Sequence, residues 1–290
     1  MNILISTDTS AVVSYESLKK SGVSVFPLNV IIDGQEYLDT VTITQDELKT
    51  AMRSNKKIQT STPPLGVVID YFENLLAQGY DHIIHFTISS KLSSMNDLFT
   101  NVAKSNFAGK VTVIDSLSLS SAMFQLVLTA LEMAKNGASV EEIVSEIEKT
   151  KKENKVVFIP ENLTALKNGG RISPTVAVIG NMIGIKPVIE LQDGALEKTG
   201  TTNNVRRVFV QKMEEYAKTY PTDEYDFTFF HFDANELTFN FLLDKLKEIL
   251  KIETIVQGLL PINVCAHCGP GTIGLIVTKK VLGKSLIEFM

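Results

Sequence analysis

The first half of the chain alternates short apolar runs with longer helical patterns, and this alternation limits the possible folds more than any other feature. Apolar runs at 2–6, 82–88 and 110–115 predict buried strands, and the patterns at 94–106 and 117–135 predict helices. Strands that alternate with helices form parallel sheets, because each crossover helix covers a face of the sheet. The first half is therefore predicted to be an α/β domain with a parallel sheet.

The second half has a different pattern. Asp193-Gly194 lies between two runs of strand-forming residues and is a strong hairpin signal, and hairpins join antiparallel strands. Helical patterns at 203–220 and 234–250 alternate with further predicted strands. We therefore predict a two-domain α/β protein. Residues 1–155 form a parallel-sheet N-terminal domain, and residues 156–290 form a smaller C-terminal α/β domain with a mixed sheet.

Composition and charge exclude several classes of protein. Of 290 residues, 44% are hydrophobic and 21% are charged, which is typical of a soluble globular protein. Lys and Arg number 28 against 33 Asp and Glu, so the net charge of −5 disfavours a general nucleic-acid binder. The chain reaches Asp8 before a signal-peptide apolar run develops, and the uncharged stretch 254–278 contains prolines and glycines. We expect a cytoplasmic protein without stable membrane insertion.

The cysteines form one candidate reactive motif, Cys265-Ala266-His267-Cys268. A thioredoxin-type dithiol lies at the start of a helix, whereas Gly-Pro-Gly follows this motif. A zinc site would need further ligands. We interpret the cysteines as small residues that pack a turn, and redox or metal chemistry with Cys265, His267 and Cys268 is the alternative.

Hydroxyl side chains cluster before predicted helices, at Thr60-Ser61-Thr62, Ser89-Ser90 and Ser93-Ser94. Residues of this kind commonly cap helix N-termini. Hydroxyls and free N–H groups at two helix starts can also bind a carboxylate or a phosphate. Both interpretations, helix caps and an anion site, follow from the spacing. No nucleophile elbow, Walker lysine or carboxylate pair indicates a catalytic role for this chain.

An ordered set of motifs resembles the DegV family. Thr7-Asp8-Thr9-Ser10 resembles that family's Thr-Asp-Ser-Thr, and Thr60-Ser61-Thr62-Pro63 resembles its Thr-Ser-Gln-Pro. Residues 89–94 resemble its Ser-Ser-Gly-Leu-Ser-Gly, and residues 169–173 match its Gly-Gly-Arg-Ile-Ser. Residues 267–271 resemble its His-Thr-Gly-Pro-Gly. Each motif is weak alone, but the set keeps the family's order along the chain.

The resemblance implies a bacterial protein with two α/β domains that binds one long-chain fatty acid between them. By matching position, Thr60 or Ser61 and Ser93 would bind the carboxylate, and Arg171 and His267 would lie near it. Some members deliver the fatty acid to a separate fatty-acid kinase, which phosphorylates the carboxylate. The chain itself would then be no enzyme and would need neither a metal nor a cofactor besides this ligand.

The chain also departs from the family's pattern. Lys91 and Ser94 stand where the family has glycines, Thr62 replaces Gln, and Cys268 replaces Thr. Lys91 is expected to alter the backbone of its loop or to place a cation near the entrance of the site. Residues 199–202 lack an arginine that relatives often carry near the kinase-docking surface. A carrier of another amphiphile, without a kinase partner, is therefore the further alternative.

Local patterns add two expectations. Residues 56–64 are rich in polar residues and are predicted to form a loop, and the apolar residues 174–182 are predicted to form a short helix. Four apolar residues are either ordinary core or the lining of a lipid tunnel: Ile172, Val176, Ile179 and Met182.

Overall fold

The computed structural model describes residues 1–11, 18, 20–172 and 184–290. The predicted helix at 174–182 and the tunnel candidates Val176, Ile179 and Met182 lie outside the described residues. Thirteen strands belong to the described part of the chain: β1 Ile3–Asp8, β2 Ser24–Phe26, β3 Asn29–Ile32, β4 Gln35–Leu38, β5 Ile58–Ser61, β6 His82–Thr87, β7 Val111–Asp115, β8 Lys155–Ile159, β9 Lys186–Gln192, β10 Ala195–Thr202, β11 Tyr225–Phe232, β12 Val256–Gly258 and β13 Thr272–Lys279.

The helices of the described part follow the predicted pattern in most places: α1 Gln45–Arg53, α2 Leu65–Leu76, α3 Met95–Asn106, α4 Ser120–Lys135, α5 Val140–Thr150, α6 Thr164–Asn168, α7 Val205–Thr219, α8 Glu236–Leu250 and α9 Ile262–Cys268. Capping boxes begin α1 at Thr44 and α5 at Ser139, where a hydroxyl and a glutamate satisfy free backbone N–H groups. No described helix combines the length and the apolar character needed to cross a bilayer.

Two large sheets confirm the predicted fold class. The first is parallel, with strand order β2-β1-β6-β7. The second is mixed, with order β10-β9-β8-β13-β11-β12, and only the β11–β12 pair among its described strands is parallel. The parallel sheet follows from the alternation of strands and helices, since a crossover helix returns the chain to the same end of the sheet.

A small antiparallel sheet has the strand order β4-β3-β5. Its three strands come between β2 and β6 in the sequence. Asp33 and Gly34 form the hairpin turn between β3 and β4, and both have a positive φ, as this type of tight turn requires. The loop prediction for residues 56–64 is wrong at its centre, because β5 occupies Ile58–Ser61. Polar residues suffice there because this edge strand pairs only with β3 and none of its residues is fully buried.

Helix α4 is the central packing element between the two large sheets. Its first twelve residues are buried, and it packs against both β1 and β13. This explains why the segment is apolar around most of its circumference rather than along one stripe. The helix thereby connects the parallel sheet to the mixed sheet, and Leu119, which directly precedes it, lines the candidate site.

Helix α9 was not predicted from the sequence. It begins after Pro261 and ends before Gly269, whose φ of +77° favours glycine. Proline before a helix and glycine after it are recognised boundary signals, and they were available in the sequence. The helix was missed because it has only seven residues and almost no polar face, so it shows no amphipathic period. Its last turn carries His267, Cys265 and Cys268, which therefore lie on a helix and not in a turn.

Candidate ligand-binding site

A cavity of about 330 Å³ lies between the small sheet, the loop after β6, the cavity-facing side of the mixed sheet and helix α9. All five residues predicted for the site line it, although four different segments contribute them: Thr60, Ser61, Ser93, Arg171 and His267. We call these five residues the polar end of the cavity. The structure brings them together, and their role as ligands of a carboxylate stays a prediction.

Strand β5 and helix α9 meet at the polar end. Thr60 Oγ1 and His267 Nε2 are 2.9 Å apart and share a hydrogen bond across 207 residues of sequence. Pairing with β3 fixes β5, since Thr60 stands opposite Val30 and Ser61 opposite Asn29. The Thr60 hydroxyl therefore already has one partner, whereas no hydrogen bond within the described part of the chain occupies the Ser61 hydroxyl.

His267 is packed against a glycine that has no room for a side chain. A Cβ atom on Gly169 would overlap Nδ1 of His267 and would lie 2.8 Å from its Cε1. Gly169 has an ordinary negative φ of −77°, so the requirement is one of space and not of backbone conformation. The Gly169-Gly170 pair in the motif is the sequence signal for this close approach, but it does not reveal the partner.

The protonation state of His267 follows from its surroundings. Burial, and secondly the positive charge of Arg171, lowers the pKa of His267 from 6.5 to about 4. The imidazole is therefore neutral at pH 7 in the protein alone. An anion bound beside it would oppose both causes and raise that pKa.

Arg171 is anchored by backbone carbonyls on both sides of the cavity. Its Nε donates to the Leu92 carbonyl at 3.1 Å, and its Nη1 donates to the Gly169 carbonyl. Burial lowers the pKa of Arg171 from its ordinary 12.5, but a guanidinium stays charged in proteins. The polar end therefore carries one fixed positive charge beside several hydroxyls.

The loop after β6 presents Ser93 to the cavity. The Ser93 N–H donates to the Ser89 carbonyl at 3.1 Å, and the Ser93 hydroxyl oxygen accepts the Met95 N–H at 3.3 Å at the start of α3. A hydroxyl that accepts this bond still has its own proton to donate. Ser93 thus lines the cavity while its hydroxyl also satisfies one free backbone N–H at the start of α3, where Ser94 is the N-cap residue. Lys91, in the same loop, is exposed.

Sequence reasoning missed a buried network behind the polar end, which we call the aspartate network: Asp8, Ser10, Asp39 and Asn263. Asp8 accepts the N–H groups of Ser10 at 2.7 Å and of Ile88 at 2.9 Å. Asp39 accepts the N–H of Asn263 at 3.0 Å, and the Asn263 amide donates to the Ser10 hydroxyl at 2.7 Å. The network therefore joins β1 and the loop after β6 to α9.

Both aspartates of this network are fully buried. Burial raises the pKa of Asp8 from 3.8 to about 6, and hydrogen bonds from Ile88 and Ser10 oppose the rise. Burial raises the pKa of Asp39 from 3.8 to about 7, and the charge of Asp8 adds a smaller rise. Asp8 belongs to the first motif quoted from the sequence. Nothing in the sequence singled out Asp39.

The cysteines have no feature of a reactive pair. Cys265 and Cys268 are both buried free thiols, and burial raises the pKa of the Cys265 thiol well above 9. A raised pKa keeps the thiol protonated, whereas redox chemistry and metal binding use the thiolate. In the ranges that the structure describes, no group of three or more His, Cys, Asp or Glu side chains could hold a metal ion.

Curated proteins named as DegV domain-containing align with this chain over nearly their whole length. A DegV domain-containing protein of Staphylococcus aureus strain N315 is 32% identical over 285 residues, which cover 96% of this chain and 99% of the relative. A DegV domain-containing protein of Clostridium acetobutylicum is 27% identical over 283 residues, with the same coverage of 96% and 99%.

Solved structures agree with the sequence matches. A fatty-acid-binding DegV family protein of Thermus thermophilus is 27% identical, with a TM-score of 0.85 over 96% of this chain and 100% of that one. A stearic-acid-binding protein of Eubacterium ventriosum is 25% identical, with a TM-score of 0.84 over 96% of this chain and 98% of that one.

The family model for DegV, described as a family of uncharacterised proteins, matches residues 2–280 of the chain. The match spans both large sheets, the polar end and the aspartate network, so the resemblance noted from short motifs extends over nearly the entire sequence. The chain belongs to the DegV family.

Proposed function

We propose that this protein binds one long-chain fatty acid in the cavity between the small sheet, the mixed sheet and helix α9, with the carboxylate at the polar end. The observation that carries the proposal is that the cavity has a polar part and an apolar part. Hydroxyls, an imidazole and a guanidinium gather at one end, and the remaining lining is mainly apolar, including Leu28, Leu119, Val156 and Phe158. An amphiphile with one anionic end and one long apolar end matches this division.

The polar end supplies the kinds of groups that a buried carboxylate requires. An unpaired carboxylate away from water is costly, so its oxygens must accept hydrogen bonds. We assign this role to Ser93 and to Thr60 or Ser61, whose hydroxyls can donate protons. The charge of Arg171 favours the ionised acid, and His267 can donate to it when protonated.

The apolar part of the cavity would supply most of the binding energy. Burying a chain of about 16 carbons at about 0.8 kcal/mol per methylene contributes on the order of 12 kcal/mol before costs. Lost freedom of the ligand and ordering of side chains offset much of that gain. The carboxylate then needs hydrogen-bond partners more than a strong electrostatic attraction. This agrees with the polar end, where hydroxyls outnumber charged side chains.

We also propose that the ligand lies between an N-terminal domain of residues 1–155 and a C-terminal domain of residues 156–290. The lining supports this division. Leu28, Ile88 and Leu119 contribute from one side, and Phe158 and Phe230 contribute from the other. Strand β8, which begins at Lys155, is the first strand of the mixed sheet along the chain.

The further step is presentation of the fatty acid to a separate fatty-acid kinase, so that this chain acts as a binding partner and not as an enzyme. Two cavity-lining residues beside the polar end, Thr62 and Ser94, are exposed. A carboxylate held there could be reached from outside without release of the acyl chain. Once His267 has bound a proton, its imidazolium could donate to the ionised carboxylate and orient it.

Lipid extraction followed by mass spectrometry tests the proposal directly. Purified protein should yield about one fatty acid per chain, and delipidated protein should bind an added long-chain fatty acid. Extracts dominated by another amphiphile would support the alternative carrier function. Extracts without lipid, together with no binding of added fatty acid, would contradict the proposal.

A further inference from the structure

Phe230 separates the ligand cavity from a second cavity. The second cavity, of about 340 Å³, lies among α1, the ends of β11 and β12 and the start of α8. Phe230 lines both cavities. Its ring is 3% exposed, so it belongs to the interior and not to the surface of either opening.

A glycine in the neighbouring strand fixes the position of the ring. Phe230 stands opposite Gly274 in β13, and Gly274 stands opposite Phe158 in β8. A Cβ atom on Gly274 would overlap Cζ of Phe230 and would lie 2.6 Å from both Cε1 and Cε2. The tip of the ring therefore occupies the space of the missing side chain, and this row of residues forms one wall of the ligand cavity.

The cavity lining is more deeply buried at this wall than at the β10 edge of the mixed sheet. Phe158 and Leu260, lining residues in the same core cluster as Phe230, are 6% and 2% exposed. Leu196 of β10, at the other edge of the sheet, is only partly buried. The methyl end of an acyl chain gains most where the lining is most deeply buried, because the gain scales with apolar surface removed from water.

We infer that Phe230 is the residue that limits the length of the acyl chain, by closing the ligand cavity against the second cavity. The inference rests on the proposed binding of a fatty acid. A smaller side chain at 230 would join the two cavities and give the end of a longer chain room to extend past this wall, next to Phe232 and Phe239 of the second cavity. Phe230 is then a specificity-determining residue for fatty acids of different length.

The test compares Phe230→Leu with Phe232→Leu. Phe232 is a matched control, because it lies on the same face of β11, is 2% exposed and lines the second cavity but not the first. Delipidated wild-type protein and both variants would be titrated with saturated acids from myristic to behenic acid, by displacement of a fluorescent fatty acid. We expect Phe230→Leu alone to shift its preference to longer acids. Complete burial of one methylene corresponds to roughly four-fold in Kd, and the gain per added methylene should be smaller than this because Asp46, Lys49 and Glu236 also line the second cavity.

Wild-type protein provides a second measurement that does not depend on a variant's folding. A fatty acid with a photoreactive diazirine next to its methyl end should label β11 or the segment around Leu260. Label confined to the β9–β10 hairpin would overturn the inference, because the chain would then point away from Phe230.

The two proposals fail in different ways. If wild-type protein binds no acid of the series, the proposed function itself is wrong. If wild-type protein binds the series and Phe230→Leu keeps the same length profile as Phe232→Leu, fatty-acid binding stands and the role of Phe230 is overturned.

Discussion

The polar end of the cavity and the aspartate network contain similar chemical groups a short distance apart, but they use them differently. In the network, Asp8 accepts two backbone N–H groups and Asn263 bonds to both Asp39 and Ser10, so these groups hold protein segments together. At the polar end, Ser93 accepts one backbone N–H and keeps a proton to donate. The bonded groups of the network position protein segments, although Asp39 Oδ1 and the Asn263 amide oxygen have no hydrogen-bond partner among the described residues. The Ser93 hydroxyl, by contrast, lines the cavity and keeps a proton that a ligand can accept.

Ser93→Ala should give the clearest difference between an effect on ligand binding and an effect on protein stability. Removing a hydroxyl that bonds a carboxylate should weaken fatty-acid binding by about 1.5–3 kcal/mol, because one partner is charged. The change in the free energy of unfolding should be much smaller. Titration calorimetry with palmitate and thermal unfolding measure the two effects, and Ser90→Ala, which does not line the cavity, is the control. Equal fatty-acid affinity in both variants would mean that the Ser93 hydroxyl bonds only the backbone at the start of α3 and not the ligand.

Gly169→Ala tests whether the polar end is held by close packing. The added methyl group would overlap the His267 ring, and overpacking of this kind costs about 1–3 kcal/mol of folding free energy. The displaced ring should also lose its hydrogen bond to Thr60. Gly66→Ala is the matched control, because no atom lies within 4 Å of a Cβ there and the glycine is in a helix. Chemical denaturation compares the two, and equal stability would refute the packing argument.

The aspartate network should make the free energy of unfolding depend on pH. The pKa values of Asp8 and Asp39 are raised to about 6 and about 7 in the folded protein, above the ordinary 3.8. Between pH 4 and 7 the two aspartates are deprotonated in the unfolded chain but still partly protonated in the folded protein. Their contribution to the free energy of unfolding therefore falls as pH rises to 7 and is constant above 7. Asp39→Asn cannot titrate, so the stability of the wild type relative to this variant should decrease across that range.

Denaturant unfolding of wild type and Asp39→Asn at several pH values measures this difference. Asp244→Asn, on the exposed side of α8, serves as the control. A difference between wild type and Asp39→Asn that is constant from pH 4 to 7 would mean that Asp39 does not titrate there.

His267→Ala should separate affinity from presentation. The acyl chain dominates affinity, so loss of one hydrogen-bonding partner should cost about 0.5–1.5 kcal/mol of binding. Turnover of the bound lipid by a cognate fatty-acid kinase should fall far more, since the donor that orients the carboxylate is lost. Fatty-acid affinity and acyl-phosphate formation would be measured on the same variant. Full turnover without the imidazole would leave His267 a structural role only.

The smallest effect is expected for Cys265→Ser combined with Cys268→Ser. Both thiols are buried and burial raises the pKa of Cys265, which disfavours the thiolate that redox and metal chemistry use. Fatty-acid affinity should stay nearly unchanged, and elemental analysis should detect no metal that the variant loses. Stoichiometric zinc in the wild type that is absent from the variant would revive the redox or metal alternative.

Local signals in the sequence were sufficient for most of the fold. Alternating strands and helices predicted the parallel sheet, and Asp193-Gly194 predicted a hairpin. Signals of the same short range stand at the turn between β3 and β4, where the chain has Asp33-Gly34, and at the start of α1, where it has Thr44 and Glu47. These signals succeed because hydrophobic period, turn conformation and helix capping act within a few residues of the chain. These signals did not predict strand β5, because it is a polar edge strand. They did not predict helix α9, because it is short and buried on nearly all sides.

The sequence by itself determined the family and the five candidate residues of the polar end, since these depend on motifs of a few adjacent residues. Only the tertiary structure decided how those residues meet: Thr60 bonds His267 across 207 residues, Gly169 leaves room for the same imidazole, and Phe230 lies over Gly274. It also decided the partners of Asp8 and Asp39. The physical reason is that burial, close packing and long-range hydrogen bonds exist only once distant segments share one interior, so the pattern of adjacent residues does not contain them.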